Sequence, residues 1–375
     1  MPITQFLWGD SGSGLSERAW RHAETEGAAW VGNSAAAHMS LMRSTVRDEL
    51  AVAMEQRGVG TQEMSRAVDK ALAFWGLQSQ ADQDPTQLST GQTRRVAIAT
   101  ALLANPRALV LDCPCDGLDT EAVELLRHSL EAFDGPVTVY DRMHNLLVDS
   151  AAEVAHLDGR PVPPPRLHEV VSPPDAQSNS TQPDFIAKDV TVERANTVGP
   201  LNVTANAGRI THLAGPNGSG KTTLFLASLG LLKYSGQIVG ESFGWCPTDM
   251  DSAITRKTVR EELALGAGAQ LAQQMLEFAG LMDVADVHPL DVPSARRRIL
   301  LTAAAMVRAP HVVFLDEPTV GLDTPRAGEL ASLMRRYVAG EYHQKLGLDA
   351  PKPTVVWTCN DPKFAAVLSD EMMQL

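Results

Sequence analysis

Short apolar runs alternate with longer amphipathic stretches along the chain, and two of these runs end in acidic residues. The two runs are residues 108–112 and 312–316, and each follows a helical stretch rich in Ala, Leu and Arg. Apolar runs of this length, separated by helices, are typical of buried parallel strands. The pattern therefore predicts an α/β protein with parallel-sheet cores.

Longer apolar segments bear on the cellular compartment. None reaches the roughly 18 residues that span a bilayer, and the best two, 97–104 and 299–307, have the length of core helices. The start of the chain lacks the basic and apolar regions of a signal peptide, and the 4 cysteines suit a reducing compartment. We therefore expect a cytoplasmic protein that is not itself a membrane channel.

Composition sets the number of domains and argues against one class of partner. A chain of 375 residues with 44% hydrophobic and 21% charged residues is typical of a folded protein of two domains. Its formal net charge of −13 argues against nucleic acid, because affinity for nucleic acid comes largely from clustered Lys and Arg. We expect no nucleic-acid partner.

An internal repeat divides the chain. The segment Thr-Val-Arg-Asp-Glu-Leu-Ala at 45–51 recurs as Thr-Val-Arg-Glu-Glu-Leu-Ala at 258–264, and the acidic strand end at 108–119 recurs 204 residues later. Between the copies, residues 161–184 are rich in Pro and Ser, which is typical of a linker. The predicted domains are therefore 1–160 and 185–375, joined by the linker 161–184.

The second copy carries a phosphate-binding loop. Gly-Pro-Asn-Gly-Ser-Gly-Lys-Thr at 215–222 follows the apolar run 210–214 and fits the pattern G-x-x-x-x-G-K-[ST]. In such a loop backbone N–H groups and a helix N-terminus surround phosphate oxygens, the lysine neutralises charge, and the threonine hydroxyl faces Mg²⁺. A glycine-rich turn without function is the alternative. The predicted ATP-binding residues here are Gly215, Asn217, Gly218, Ser219, Gly220, Lys221, Thr222 and Thr223.

Two carboxylates follow the second acidic strand. Asp316 at the strand end can hold Mg²⁺ together with Thr222, and Glu317 can polarise the water that attacks the γ-phosphate. In the first copy the corresponding loop carries Leu15 in place of the lysine, and Cys113 stands where the second copy has Glu317. The first copy is therefore predicted to have a decayed phosphate site.

A further motif connects the chain with a known family. Leu-Ser-Thr-Gly-Gln at 88–92 lies 24 residues before Asp112, and each acidic strand is followed by Gly-Leu-Asp, at 117–119 and 321–323. This combination resembles the ATP-binding-cassette (ABC) ATPases over both halves, and the repeated Thr-Val-Arg segments look most like the fused ATPases of energy-coupling-factor (ECF) importers. The resemblance implies two tandem P-loop NTPase domains, each with a helical subdomain, that bind ATP and Mg²⁺.

In that family two nucleotide-binding domains pair head to tail, and ATP lies between the phosphate loop of one and the signature of the other. The resemblance therefore implies that the intact signature of the first half faces the intact loop of the second. The signature of the second half, at 292–296, has lost both glycines and gained Pro293. We expect one competent composite site, one degenerate site and intramolecular pairing of the halves. The predicted signature contacts are Ser89, Thr90, Gly91 and Gln92.

Several positions depart from the family pattern. Thr248 stands at the expected glutamine and Cys359 at the expected switch histidine, with Asn33 and Arg142 as their first-half counterparts. Arg194 is the one side chain near the adenine position that could stack. The first half also begins only eight residues before Gly9, so this domain is expected to be trimmed at its N-terminus.

The expected function is that of an ATP-hydrolysing energy-coupling subunit of an ECF-like importer, peripheral at the inner face of the cell membrane. Its partners would be a transmembrane coupling subunit and a substrate-binding membrane subunit. The alternatives are a structural or regulatory ABC subunit with little turnover, motivated by Thr248 and Cys359, and a soluble ABC ATPase acting on ribosomes.

Two smaller features each have two interpretations. Cys113-Pro114-Cys115 is either a metal-binding hairpin or a set of altered residues at the strand end. The basic run 296–298 is either an RNA contact or the start of a helix.

Overall fold

The protein forms two compact units, Met1–Arg166 and Leu167–Leu375. The computed structural model describes residues 3–40, 42–171, 182–193, 197–250 and 252–375. Residues 172–181 of the predicted linker and the residue Arg194 lie outside this part of the chain. In the described residues no helix is both long and apolar enough to cross a membrane.

The first unit is built on five strands that pair in parallel in the order β2-β3-β4-β1-β5. Its helices and strands are β1 Ile3–Trp8, α1 Leu15–Glu26, β2 Ala29–Val31, α2 Val46–Gln56, α3 Thr61–Phe74, α4 Thr90–Leu103, β3 Leu109–Asp112, α5 Thr120–Glu131, β4 Val137–Asp141 and β5 Ala151–His156.

The second unit has a five-stranded parallel sheet in the order β10-β11-β12-β8-β13 and a three-stranded antiparallel sheet in the order β7-β6-β9. Its strands are β6 Pro183–Val192, β7 Val198–Asn206, β8 Ile210–Ala214, β9 Ser235–Val239, β10 Phe243–Cys246, β11 Val312–Leu315, β12 Thr354–Trp357 and β13 Glu371–Gln374. Its helices are α6 Lys221–Ser228, α7 Val259–Ala264, α8 Ala269–Phe278, α9 Ser294–Met306, α10 Thr324–Val338, α11 Glu341–Lys345 and α12 Pro362–Leu368.

Local sequence explains where several helices begin. The Thr45 hydroxyl accepts a hydrogen bond from the Asp48 N–H, and the Thr258 hydroxyl accepts one from the Glu261 N–H, so both repeated segments start with a threonine N-cap. Asp119 caps α5 in the same way. Such caps satisfy backbone donors that a helix start leaves without a partner, which fixes where the helix begins.

The backbone confirms the repeat. Cys113 and Glu317, 204 residues apart, both have a left-handed backbone with φ values of 50° and 49°. Asn105 and Ala309, with the same separation, have φ values of 49° and 52°. Because non-glycine residues seldom adopt this conformation, its recurrence at matching positions shows that both units use the same turns. The predicted α/β class with two parallel-sheet domains is confirmed.

The cores of the two units differ on one face of the sheet. In the second unit Phe314 of β11 packs with Phe185 of the antiparallel sheet and with Phe225 of α6, at ring-centroid distances of 5.2 and 4.8 Å. In the described residues of the first unit there is no antiparallel sheet, and α1 packs Leu15 and Ala19 against Val110 of β3. The second unit therefore encloses its phosphate loop with an additional layer.

Candidate active site

The phosphate loop lies where β8 meets α6, and three glycines shape it. Gly215, Gly218 and Gly220 have φ values of 156°, 85° and 104°. A Cβ atom at Gly220 would lie 2.5 Å from Val198 Cγ1, and one at Gly215 would lie 2.7 Å from Ser219 Oγ. Gly215 and Gly220 therefore need glycine both for the backbone conformation and for space, and Gly218 needs it for the backbone conformation alone.

The loop has features that fit a phosphate group. Lys221, which is buried at the start of α6, donates from Nζ to the carbonyl oxygens of Gly215 and Pro216 at 2.6 and 3.0 Å. Ser219 Oγ is buried and has no hydrogen-bond partner among the described residues. A buried hydroxyl without a protein partner, next to a lysine and a helix N-terminus, suits an anionic ligand. Asn217 and Gly218 are exposed at the tip of the turn, and Thr223 is buried in the first turn of α6.

Asp316 is joined to the loop through two hydroxyl groups. Thr222 Oγ1 donates to Asp316 Oδ2 at 2.6 Å, and Thr358 Oγ1 donates to Asp316 Oδ1 at 2.9 Å. A hydroxyl oxygen and a carboxylate oxygen in contact beside a phosphate loop are typical protein ligands of Mg²⁺, where the phosphate groups of a nucleotide supply the other ligands. In the described part of the chain no three His, Cys, Asp or Glu side chains form a metal-binding group.

Glu317 is held on two sides. Its backbone N–H donates to Thr358 Oγ1 at 2.8 Å, and its carboxylate Oε2 accepts from the Asn360 N–H at 3.1 Å. Burial and the nearby charge of Asp316 raise the pKa of Glu317 to about 7, while Lys221 acts in the opposite direction. A carboxylate whose pKa lies near neutrality is suited to accept a proton from water.

A buried arginine, which the sequence reasoning missed, braces the segment that contains Thr248. Arg298 of α9 is 0% exposed and donates to the carbonyl oxygens of Val320, Pro247 and Thr248 at 3.0, 2.7 and 2.6 Å. The Thr248 hydroxyl in turn donates to the Asp316 carbonyl oxygen at 3.3 Å. Thr248 therefore lies against the acidic strand end, at the position predicted for it.

The first unit contains the same brace, 204 residues earlier. Arg94 of α4 donates to the carbonyl oxygens of Gly32 and Asn33 at 3.2 and 2.6 Å. Because Arg94 and Arg298 hold corresponding carbonyl groups, Asn33 is the counterpart of Thr248, as the sequence suggests. The signal that could have revealed both arginines is their identical spacing from the acidic strands.

Strand register corrects one first-half counterpart. Asp112 pairs with Tyr140, whereas Leu315, one residue before Asp316, pairs with Trp357. Tyr140 therefore corresponds to Thr358 and Asp141 to Cys359, so the assignment of Arg142 to the Cys359 position was wrong by one residue. The sequence offered no cue, because the two segments share little sequence and only the paired strands fix their alignment.

Cys359 lies beside the carboxylate site. Its Sγ is 3.7 Å from Thr319 Oγ1, and burial followed by the charge of Glu317 raises the pKa of the thiol well above its usual range. A neutral thiol here offers neither the charge nor the second ring nitrogen of a histidine. The side chain of Cys359 therefore differs chemically from the histidine that the family pattern leads one to expect.

The intact signature begins a helix in the first unit. Ser89 and Gln92 form a reciprocal capping box at the start of α4, in which the Ser89 N–H donates to Gln92 Oε1 at 2.9 Å and the Gln92 N–H donates to Ser89 Oγ at 3.4 Å. Ser89 and Thr90 are exposed, and Gly91 is buried. An exposed hydroxyl at a helix N-terminus can contact an anion from outside the unit.

The first-half phosphate site is filled with apolar side chains. Leu15 and Cys113, which replace the lysine and the glutamate of the second half, pack in one buried cluster with Ala19. Nearby, the buried Arg142 forms an ion pair with Asp116. The first half thus has lost both the cation at position 15 and the carboxylate at position 113, and the two replacing side chains pack together.

The helix that follows the second signature, α9, lacks a comparable N-terminal cap. Pro293 caps α9 without a side-chain hydrogen bond, and Val292 before it is buried. In the adjacent basic run, Arg296 is paired with Asp283, while Arg298 serves as the brace described above. Arg297 donates to the carbonyl oxygens of Leu290 and Val292 at 3.1 and 3.3 Å. All three arginines are thus engaged within the unit, which favours the helix-start interpretation over an RNA contact.

Comparison with known proteins agrees with this geometry. The family model described as ABC transporter matches residues 4–116 and 198–320. A protein of Methanosarcina mazei, named as an ABC transporter ATP-binding protein, is 26% identical over 345 residues, which cover 80% of this chain and 69% of that protein. One from Streptomyces avermitilis with the same description is 28% identical over 443 residues, with coverage of 92% and 77%. The chain thus spans about two thirds to three quarters of these relatives.

Solved structures show the same tandem fold. RNase-L Inhibitor matches with a TM-score of 0.66 and 17% identity, over 100% of this chain and 83% of that one. A model of ribosome-bound archaeal Pelota and ABCE1 matches with a TM-score of 0.74 and 16% identity, over 100% and 72%. At such identities the likeness concerns the fold alone.

Proposed function

The chain belongs to the ABC transporter family, and from this premise we propose that it is the ATP-binding and ATP-hydrolysing energy-coupling subunit of an ECF-like membrane importer. The observation that carries the proposal is the contact network of the second unit. There the intact phosphate loop, Asp316 and Glu317 are joined through Thr222 and Thr358.

ATP and Mg²⁺ fit the residues of this network. The loop N–H groups and the Ser219 hydroxyl would donate to phosphate oxygens, and Lys221 would exchange its carbonyl partners for the charged β- and γ-phosphates. Thr222 and Asp316 would hold Mg²⁺, which supplies charge neutralisation at the phosphates when bound. The binding set in the second unit is Gly215, Asn217, Gly218, Ser219, Gly220, Lys221, Thr222, Thr223 and Asp316.

Glu317 is proposed as the catalytic carboxylate. It lies next to Asp316, and its Oε2 is oriented by the Asn360 N–H. Its raised pKa allows it to accept a proton from the attacking water near neutral pH. Cys113 cannot take this role in the first half, because burial raises the pKa of its thiol well above the usual range.

One working site per chain is proposed on the distribution of the losses. The second unit keeps the loop and both carboxylates, and the first keeps the signature residues Ser89, Thr90, Gly91 and Gln92. Independent decay would damage either site with equal chance, whereas here the losses of the lysine, the glutamate and the signature glycines all fall on one site and the other site keeps these parts. We therefore propose that the halves pair within one chain when ATP binds, with the first-half signature completing the competent site.

An open groove on the second unit would receive a membrane partner. It is lined by residues of α7 and of the segments on either side of this helix, among them Arg256, Lys257, Glu261 and Leu265, and Leu265 is 48% exposed. An exposed leucine beside two cations suits an amphipathic helix with an acidic end. We propose the transmembrane coupling subunit as its partner, together with a substrate-binding membrane subunit, which would place the chain at the inner face of the cell membrane.

The ATPase proposal is tested with three variants. Glu317→Gln should abolish turnover while MgATP still binds, Ser89→Ala should strongly reduce turnover, and Cys113→Ala should leave it unchanged. Substantial turnover in the first two, or its loss in the third, would contradict the one-site assignment.

A second candidate is a structural or regulatory subunit that binds ATP with little turnover. Thr248 and Cys359 favour it, because neither offers the amide or the imidazole that the family pattern places beside the γ-phosphate. Tight MgATP binding without hydrolysis, with the membrane partner present, would support this candidate. Co-purification with ribosomes in place of membrane subunits would instead support a ribosomal role, for which the tandem-domain neighbours supply only a likeness of fold.

A further inference from the structure

A buried ion pair holds the segment that follows the first acidic strand. The Arg142 guanidinium donates to the Asp116 carboxylate, and the two side chains are 5% and 13% exposed. Asp116 begins the segment 116–119, which leads to the N-cap of α5. Arg142 directly follows β4, and its backbone N–H donates to Asp141 Oδ1 at 2.7 Å. The proposed ATPase function does not yet use this contact between two distant segments.

The segment 116–119 lies directly against the intact signature. A Cβ atom added at Gly117 would lie 3.3 Å from Thr90 Cγ2 and 3.9 Å from the Gly91 backbone nitrogen. Gly117 has a φ value of 74°, a conformation that glycine adopts without strain. Thr90 and Gly91 form the start of α4, next to the N-cap Ser89. A displacement of the segment 116–119 would therefore change the support of the signature.

The second unit holds the corresponding segment in another way. Val320 lies 204 residues after Asp116, and its carbonyl oxygen accepts a hydrogen bond from Arg298 Nε at 3.0 Å. Arg94 is the counterpart of Arg298, but its Nε is buried and has no hydrogen-bond partner among the described residues. The first unit therefore lacks this contact, and the ion pair of Arg142 connects the segment to the end of β4.

The two positions of the ion pair carry uncharged residues in the second unit. Val320 takes the place of Asp116, and strand register places Asn360 at the position of Arg142. The Asn360 N–H donates to the carboxylate of Glu317 at 3.1 Å. The first half has no glutamate at the corresponding position, so its residue after the switch position serves no catalytic carboxylate.

We propose that Arg142 is a positioning residue for ATP hydrolysis, which fixes the segment 116–119 through Asp116 and so holds Thr90 and Gly91 of the signature in place. The assignment rests on the proposed function, in which this signature completes the competent site. A helix start that contacts the γ-phosphate must keep its position, because small displacements of such groups slow a reaction strongly. The degenerate half thus supplies a signature that its own ion pair fixes.

Three variants of the full chain separate positioning from stability. Arg142→Met leaves Asp116 buried without its counter-charge, which destabilises the first unit whatever the role of the pair. Asp116→Val combined with Arg142→Asn removes both charges and places the side chains of the second unit at these positions. This double variant should have a Tm closer to that of the wild type than Arg142→Met. Arg142→Lys keeps the positive charge.

Hydrogen exchange without nucleotide is the first readout. The N–H groups of Leu118, in the segment 116–119, and of Thr93, in the first turn of α4, donate to backbone carbonyl oxygens. Their exchange should become about three- to tenfold faster in the double variant, which is the effect of weakening about one net hydrogen bond. Exchange of the Leu109 N–H in β3 should stay at the wild-type rate. Arg142→Lys should resemble the wild type at all three positions.

Turnover with MgATP is the second readout. The double variant should lower kcat about tenfold with KM nearly unchanged, because the loop of the second unit provides most contacts to ATP. Arg142→Lys should keep most of the activity. Arg127→Met is the matched control, because it removes an ion pair of the first unit on α5, between Arg127 and Glu124 at 2.8 Å. This control should leave kcat and Leu118 exchange as in the wild type.

The two readouts separate the possible failures. Wild-type turnover in the double variant, or unchanged exchange of Leu118 and Thr93, overturns the positioning role. Exchange that rises equally at Leu109 shows a general loosening of the first unit and overturns it as well. A wild-type chain that hydrolyses no ATP contradicts the proposed function, while the exchange measurement still decides whether the ion pair holds the segment 116–119.

Discussion

Replacing Arg298 with methionine should strongly destabilise the second unit. The guanidinium is 0% exposed and donates to three carbonyl oxygens, those of Val320, Pro247 and Thr248. Methionine fills a similar volume but donates no hydrogen bond, so three buried acceptors would lose their partner. Each buried group left unsatisfied costs about 1–3 kcal/mol, and the losses overlap because the three carbonyls share one site. We expect a total of about 3–5 kcal/mol.

Calorimetry measures this effect. For a unit of this size, 1 kcal/mol corresponds to about 2–4 °C in Tm, so the transition of the second unit should fall by about 10 °C. Arg94→Met is the matched variant in the first unit, where the side chain holds only two carbonyls, at 3.2 and 2.6 Å. Its effect should be smaller and confined to the first unit.

Two results would refute this reasoning. A Tm for Arg298→Met within about 2 °C of the wild type would show that water or rearranged backbone satisfies the three carbonyls. An equal or larger effect of Arg94→Met would show that the number of carbonyls held does not set the cost.

Three further predictions concern the two nucleotide sites. Glu317→Gln should lower kcat for ATP by about 10²- to 10⁴-fold with MgATP still bound, as measured by turnover and equilibrium binding; an unchanged kcat would remove Glu317 from the reaction. Leu15→Lys should lower the Tm of the first unit, because it places a cation in the apolar cluster beside Cys113. It should not add a second bound ATP per chain, and two bound nucleotides per chain would show that this cluster opens. Burial and the charge of Asp116 raise the pKa of Asp141 from an ordinary value of 3.8 to about 7 in the folded state, with Arg142 acting in the opposite direction. The folded form thus binds this proton more tightly, and the resulting stability, full below about pH 4, is lost as pH rises toward 7. Urea unfolding of the first unit should therefore show a loss of roughly 2 kcal/mol between pH 5 and 7 that Asp141→Asn reduces, and an equal loss in both chains would exclude Asp141 as its source.

The phosphate loop and the acidic strand ends were predictable because their chemistry is local. The glycines at 215, 218 and 220 form one continuous turn, and the loop lysine follows directly at the start of α6. The repeat was visible for a similar reason, since caps such as Thr45 and Thr258 act within a single helical turn. These features need no distant part of the chain.

The counterpart of Cys359 was less predictable. The two copies differ around it, so its partner in the first half follows from which residues the paired strands bring together. A shift of one residue reverses the face on which a side chain lies, and sequence alone did not exclude that shift.

By itself the sequence determined the family, the two α/β domains and the half that keeps the phosphate loop and both carboxylates. The tertiary structure alone decided what supports them: Arg298 holds the backbone at Thr248, and Leu15 packs in one buried cluster with Cys113. The physical reason is how far apart in the sequence the interacting residues lie. A phosphate loop is specified by consecutive residues, whereas each of these supports joins segments that lie far apart in the chain and meet only when strands and helices pack.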